Sequence, residues 1–209
     1  MAPPLLIGTG NPGKLIEIKT IIGELPFEFH SLDEFKDVAT AAETGESYIE
    51  NAIAKARYYS TATGLCTLAD DSGLEVDALG GAPGVFSARY AGECASDEER
   101  RELLLTKLAQ TNDDDRAARF VCVVAIANPN GELLNTSEGI CSGTIARRAK
   151  GHGGFGYDPL FVPDGYTQTF AELPESVKNR ISHRARALLA CRDFLLREGS
   201  KLDPALPPS

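Results

Sequence analysis

Pro4-Leu5-Leu6-Ile7-Gly8-Thr9-Gly10-Asn11-Pro12-Gly13-Lys14 is the stretch on which the fold of this chain turns. Its apolar opening, stopped by Gly8, predicts a short buried strand. After the glycines, Leu15, Ile18, Ile22 and Leu25 recur every three or four residues, one face of a helix that ends before Pro26. A strand that feeds a glycine-dense loop opening a helix suits a bound anion. The helix start offers N–H groups and partial positive charge, glycines admit close backbone approach, and Lys14 adds a point charge. Three readings compete. As G-x-G-x-x-G the stretch matches a dinucleotide fingerprint, with Glu28 and Asp33 at a tolerable distance for a ribose-binding acid, but the rest of the chain lacks repeated parallel βα units. As G-x-x-x-x-G-K it matches a Walker A loop, but Leu15 stands where Ser or Thr would hold Mg²⁺. The third reading is a plain glycine turn.

Working outward, Phe27-Glu28-Phe29-His30 alternates like a half-buried strand. A second helix carries Ile49, Ala52, Ile53 and Ala56 on one stripe, with Ser47 and Glu50 as a capping box and Gly64 as its stop. Residues 65–69 read as a strand running into an Asp70-Asp71-Ser72-Gly73 turn, after which Leu74, Val76 and Ala78 alternate as a new strand. Ser96-x-x-Glu99 caps a third helix with Leu103, Leu104 and Leu108 inside. Residues 120–127 form a strongly apolar strand, and Asn130-Gly131 predicts a hairpin into residues 132–136. Another strand is expected at 140–145, then a glycine-rich loop at 151–158. Ser182 starts the last helix, with Ala185, Leu188, Leu189, Leu195 and Leu196 on its apolar side. Helices and strands are mixed, with at least one antiparallel pair, so the expected class is α/β around a mixed sheet. Residues 1–198 read as one domain, and Pro-rich residues 199–209 as a frayed tail.

Composition narrows the function. The chain has 209 residues, enough for a sizeable core, and its 43% hydrophobic and 24% charged residues exclude a disordered chain or a fibre. A net charge of −9 has the wrong sign for a nucleic-acid or anionic-membrane face, though not for a local anion pocket. No apolar run approaches a bilayer span, and Met1-Ala2-Pro3-Pro4 lacks the pattern of a signal peptide. Five scattered cysteines without CxxC, and three histidines without HExxH, argue against a disulfide framework and a zinc site. A reducing compartment fits best.

Chemistry concentrates in three further places. If phosphate sits at the first loop, magnesium needs oxygen ligands, and Asp70-Asp71 after an apolar strand is the best source; a solvated Asx turn is the alternative. Strand alternation keeps both side chains from pointing one way, so one faces the site. Glu43, before the second helix, is another candidate carboxylate, or merely a favourable helix N-terminal charge. Gly151-His152-Gly153-Gly154-Phe155-Gly156-Tyr157-Asp158 offers aromatic faces for a base, unless its rings pack into the core. Lys178, Arg180, His183, Arg184 and Arg186 are either a solvated face or a dock for phosphate or a purine carbonyl. His30 reads as structural, and residues 80–90 show no role in their chemistry.

Taken together, Thr9-Gly10-Asn11-Pro12-Gly13-Lys14, Glu43-Thr44-Gly45 with Glu50-Asn51-Ala52, Ala69-Asp70-Asp71-Ser72-Gly73, residues 80–90, residues 153–159, and Ile181-Ser182-His183-Arg184 resemble the inosine triphosphate pyrophosphatase family, in family order across nearly the whole chain. The resemblance implies an elongated α/β/α sandwich around a central mixed sheet, with two lobes and a cleft. It implies a cytoplasmic homodimer that uses Mg²⁺, with Mn²⁺ as a substitute, and binds neither nucleic acid nor membrane. The implied activity is hydrolysis of ITP, dITP and XTP to the monophosphate and pyrophosphate, which removes deaminated purines from the nucleotide pool. By that pattern Thr9, Gly10, Asn11, Pro12, Gly13 and Lys14 bind phosphate, Asp71 is proton acceptor and metal ligand, and Ser72 contacts substrate. Phe155, Gly156, Tyr157 and Asp158 line the nucleoside pocket, completed by Lys178, His183 and Arg184. Donors from Arg184, His183 or loop backbone would bond the 6-carbonyl of the purine and oppose the amino group of ATP. Relatives of this pattern often carry two acids before Thr-Gly. Here Ala42 replaces the first, leaving Glu43 to join Asp71 at the metal. A nonenzymatic nucleotide-binding module, a Rossmann dehydrogenase and a general phosphatase are the rival readings.

Overall fold

The computed structural model describes residues 2–111 and 115–199. In chain order the main elements are β1 (Pro4–Ile7), α1 (Pro12–Ile22), β2 (Glu28–Ser31), α2 (Tyr48–Thr63), β3 (Cys66–Val76), α3 (Asp97–Leu108), β4 (Ala117–Ala127), β5 (Leu133–Ile145), β6 (Phe161–Pro163), α4 (Glu175–Ile181) and α5 (His183–Glu198). Strands form one six-stranded sheet in the order β2-β1-β3-β4-β5-β6. β1 runs parallel to β2 and β3, and β5 antiparallel to β6, so the sheet is mixed and the class is α/β, as the sequence predicts. The predicted tail at 200–209 lies outside the described residues. Among the described residues no helix is long and apolar enough to cross a membrane.

The described chain forms two compact units, and β3, β4 and β5 contribute residues to both. Of the described residues, the first comprises 2–71, 122–139 and 184–199. Its core joins Leu5 and Ile7 of β1, Ile18 and Ile22 of α1, Leu68 of β3, Val124 and Ile126 of β4, and Leu188 and Leu195 of α5. The second comprises Ser72–Val121 and Ile140–His183, with a core of Leu74, Leu104, Phe120, Leu160, Phe161 and Phe170.

The register of the parallel strands positions the first loop. Leu5 pairs with Cys66 and Ile7 with Leu68, and the Gly8 N–H donates to the Leu68 carbonyl at 2.7 Å. The loop after β1 therefore leaves the sheet beside the point where β3 reaches Asp70 and Asp71. This is the carboxyl end of parallel strands, where open α/β sheets bind ligands. Gly8 has no room for a side chain: a Cβ would lie 2.9 Å from Thr67 Cγ2 and 3.0 Å from Tyr59 Cδ2. Gly8→Ala is expected to destabilise the fold by about 1–3 kcal/mol through overpacking, read as a fall in urea midpoint.

Three local expectations need correction. The Asp70-Asp71-Ser72-Gly73 segment is no turn but the middle of an eleven-residue strand. Its acids tolerate burial there because cations from other elements meet them, a long-range compensation that local turn propensity does not contain. The strands expected at 132–136 and 140–145 are one strand, β5, which pairing carries through the glycine between them. A short helix, α4, precedes the last one, and Ser182 separates them in an extended conformation.

Candidate active site

In the first unit the loop shapes itself. Asn11 is the N-cap of α1: its Oδ1 accepts the Lys14 N–H at 3.1 Å, and Thr9 Oγ1 accepts the Asn11 N–H at 3.2 Å. Pro12 opens the helix, where its missing N–H costs nothing. Gly10, Asn11 and Pro12 are exposed, and a Cβ built on Gly10 meets open space, so this edge of the loop is accessible to a ligand.

Behind the loop sits a buried charge network. Lys14 Nζ is 3.0 Å from Asp70 Oδ2. Arg184, fully buried at the start of α5, donates from Nε and Nη2 to the same oxygen at 3.3 Å and from Nη1 to Glu17 of α1. Burial alone would raise the pKa of Asp70, but Lys14, Arg184 and Lys55 outweigh it and hold the carboxyl well below the usual range. Asp70 Oδ1 is buried with no hydrogen-bond partner among the described residues.

Asp71 points elsewhere, as strand alternation requires. Its Oδ1 receives Lys55 Nζ at 3.1 Å and its Oδ2 the Asn51 amide at 3.0 Å. Lys55 also reaches Glu43 Oε1 at 2.7 Å, so one ammonium links the acid before α2 to the acid on β3. Asn51 adds a second link, because its Oδ1 accepts the Gly45 N–H at 2.8 Å. The Ser47–Glu50 capping box fixes the first turn of α2, which carries Asn51, and Lys55 follows one turn on. Burial raises the Asp71 pKa, aided by nearby Glu43 and opposed by Lys55 and Lys14. Burial lowers that of Lys55, but Asp71, Asp70 and Glu43 raise it further. Lys55 is thus a buried cation balanced by carboxylates.

In the second unit the glycine-rich loop closes a tight turn. Asp158 Oδ2 accepts the Phe155 N–H at 2.9 Å and pairs with Lys178 Nζ. Lys178 Nζ lies 5.0 Å from the Phe155 ring centre and 5.7 Å from that of Phe170. Gly154 must be glycine: its φ is +69°, and a Cβ would fall 2.0 Å from Asp158 Oδ2. Tyr157 faces the core, its hydroxyl donating to the Ser87 carbonyl at 3.1 Å, and burial raises its pKa. His183 stacks on Phe120, centroids 4.5 Å apart.

The structure therefore gathers Thr9, Gly10, Asn11, Pro12, Gly13, Lys14, Glu43 and Asp71 within one unit, and Phe155, Gly156, Tyr157, Asp158 and Lys178 within the other. Ser72 is half-buried on β3. Arg184, expected at a purine carbonyl, donates to Glu17 and Asp70 in the protein interior. Lys55, Glu17 and the linking role of Asn51 were not read from the sequence. The signal for Lys55 was present: it lies at helical spacing from Asn51, Ala52 and Tyr59, all buried on one face of α2.

The donor set suits magnesium. Glu43 and Asp71 offer hard carboxylate oxygens that already share one cation, the Lys55 ammonium, and Mg²⁺ typically takes one or two carboxylates plus substrate phosphates and water. Among the described residues no group of three or more His, Cys, Asp or Glu side chains is placed to hold a metal ion.

A strand–loop–helix anion site next to a buried, cation-balanced carboxylate defines an α/β protein equipped for phosphate chemistry. The chain belongs to the Ham1 family, which matches residues 5–194. It is 48% identical over 193 residues to the dITP/XTP pyrophosphatase of Desulforamulus reducens, covering 92% of this chain and 96% of that one. It is 44% identical over 196 residues to the dITP/XTP pyrophosphatase of Haemophilus influenzae, covering 93% and 100%. Among solved structures it is similar to a Ham1 protein from Coxiella burnetii, with TM-score 0.85, 43% identity and coverage of 94% and 100%. A Ham1 protein from Staphylococcus aureus superposes with TM-score 0.82 at 40% identity, covering 93% and 99%.

Proposed function

We propose that the chain hydrolyses non-standard purine nucleoside triphosphates, dITP, ITP and XTP, to the monophosphate and pyrophosphate, and thereby clears deaminated purines from the nucleotide pool. One observation carries the reading: a buried carboxylate, Asp71, oriented by Lys55 and Asn51 next to a strand-loop-helix anion site. The names of the relatives supply the substrate class.

Lys14 and the exposed loop edge receive the phosphates. Asp71, with Glu43, would hold Mg²⁺, with Mn²⁺ as a substitute. The metal, when bound, offsets phosphate charge and polarises the phosphorus under attack. Asp71 orients a water and takes its proton for in-line attack on the α-phosphorus. A proton affinity raised by burial suits that task, because a base works best when its pKa lies nearer the operating pH. Lys55 and Asn51 keep the Asp71 carboxylate oriented. Pyrophosphate leaves toward Lys14. Phe155, supported by Lys178 and Asp158, offers a ring face to the base, while loop N–H groups and His183 are the donors available to the 6-carbonyl. Assembly as a homodimer and a cytoplasmic location go with this reading, and sedimentation at micromolar protein tests the first.

The decisive assay follows products from ITP, XTP, ATP and GTP with and without Mg²⁺. Pyrophosphate from ITP and XTP, little from ATP or GTP, and loss of release in EDTA are expected. Orthophosphate as the first product makes the chain a general phosphatase, and binding without turnover makes it a nucleotide-binding module.

A further inference from the structure

We infer that Asp97 and Arg101 of α3 are positioning residues that hold the base-recognition loop by the Gly156 backbone. Asp97 Oδ2 accepts the Gly156 N–H at 2.7 Å, and Arg101 Nη1 donates to the Gly156 carbonyl at 2.8 Å. The two residues are four apart, so they stand one above the other on a single helix face. Both backbone polar groups of one loop residue are taken by one helix, and each bond has a charged partner, the stronger class of hydrogen bond.

The residue held is the one that most needs holding. Gly156 has φ +60°, a conformation with little intrinsic preference and a large entropy cost for glycine. It sits between Phe155, whose ring packs under Lys178, and Tyr157, whose hydroxyl is tied to Ser87. The α3 end that grips it is itself anchored. The Ser96–Glu99 capping box fixes its first turn, and Arg100 lies 3.4 Å from the other oxygen of Asp97. Three acids in this first turn, Asp97, Glu98 and Glu99, would satisfy the helix dipole without any contact to the loop. The bond from Asp97 to Gly156, matched one turn on by Arg101, is therefore additional to what the helix requires. Neither residue belongs to the phosphate loop, so their effect falls on recognition of the base and leaves the chemical step alone.

The inference deepens the proposed function and rests on its reading of residues 155–158 as base-binding. The experiment compares Arg101→Ala, Asp97→Ala and Asp97→Asn with the wild-type chain. It measures kcat and KM for ITP, inhibition by tripolyphosphate, which has no base, and hydrogen exchange at the Gly156 amide. Each alanine variant is expected to raise KM for ITP about five- to tenfold, the net worth of one ordinary hydrogen bond. Tripolyphosphate inhibition should stay unchanged and kcat within about twofold of wild type. Asp97→Asn, which keeps an acceptor oxygen, should recover most of the loss. Unchanged KM in both alanine variants, or a parallel weakening of tripolyphosphate, overturns the inference. If the wild-type chain releases no pyrophosphate from ITP, the functional reading fails separately. The clamp is then judged by exchange alone: faster exchange at Gly156 in Asp97→Ala supports it, and unchanged exchange overturns it.

Discussion

Asp71→Asn is expected to keep nucleotide binding while losing about 10²–10⁴-fold in kcat, the usual worth of a positioned general base. The structure adds a second consequence. Both groups facing Asp71, the Lys55 ammonium and the Asn51 amide, are donors. An asparagine must turn its own NH₂ toward one of them, leaving a buried donor-to-donor contact that costs about 1–3 kcal/mol. Thermal unfolding should therefore show a modest loss of stability alongside the loss of turnover. Binding of an ITP analogue, measured by calorimetry, separates the two effects: the folded variant should bind within a few fold of wild type. Turnover close to wild type would remove Asp71 from the chemical step and leave it a structural partner of Lys55. Asp71→Ala is the less informative change, because it leaves Lys55 buried with Glu43 alone and so confounds chemistry with a lost ion pair.

How far the sequence revealed this arrangement depends on whether the forces involved are local. The strand, the glycine loop and the helix start at Asn11 were legible because apolar periodicity, capping and proline at the first helical turn act over a few residues. The same is true of the capping boxes at Ser47 and Ser96 and of the Asn130-Gly131 turn, where Gly131 adopts φ +80° and Asn128 pairs with Glu132. Asp70-Asp71-Ser72-Gly73 misled for the complementary reason. Each residue type favours turns, and the strand persists because Lys14 and Arg184 meet Asp70 and Lys55 meets Asp71. Those partners come from three helices, α1, α2 and α5, and Arg184 lies 114 residues away from Asp70. By sequence Arg184 belongs to a basic cluster that is either a solvated face or a dock for phosphate or a purine carbonyl. Its spacing with Ala187, Leu188, Cys191 and Leu195, all buried, instead puts it on the inner face of α5. A charged residue in phase with an apolar stripe is the sequence-level sign of a buried ion pair, and it marks both Arg184 and Lys55.

Arg184→Met should cost about 3–5 kcal/mol of stability, because it removes the cation that the buried Glu17 and Asp70 carboxylates share. Urea unfolding is the measurement, with the midpoint falling and the slope unchanged. The companion change Glu17→Met removes one of those two carboxylates. The double variant is therefore expected to recover much of the loss, a strongly non-additive cycle that a substrate-binding arginine would not produce. Acid sensitivity gives an independent reading. The depressed pKa of Asp70 means that its charge stabilises the fold above the ordinary carboxylate range, and that this stabilisation is lost as pH falls through the lower folded value. Removing Arg184 takes away one of the cations that depress that value, so acid unfolding should begin at higher pH in the variant. Lys14 still faces Asp70 at 3.0 Å in that background, which keeps the shift partial. The opposite outcome, an unchanged urea midpoint with a raised KM for ITP and relaxed rejection of ATP, would mean that the guanidinium leaves Asp70 and Glu17 to meet the purine. The charge network behind the phosphate loop would then stand on Lys14, with Lys55 acting from further off.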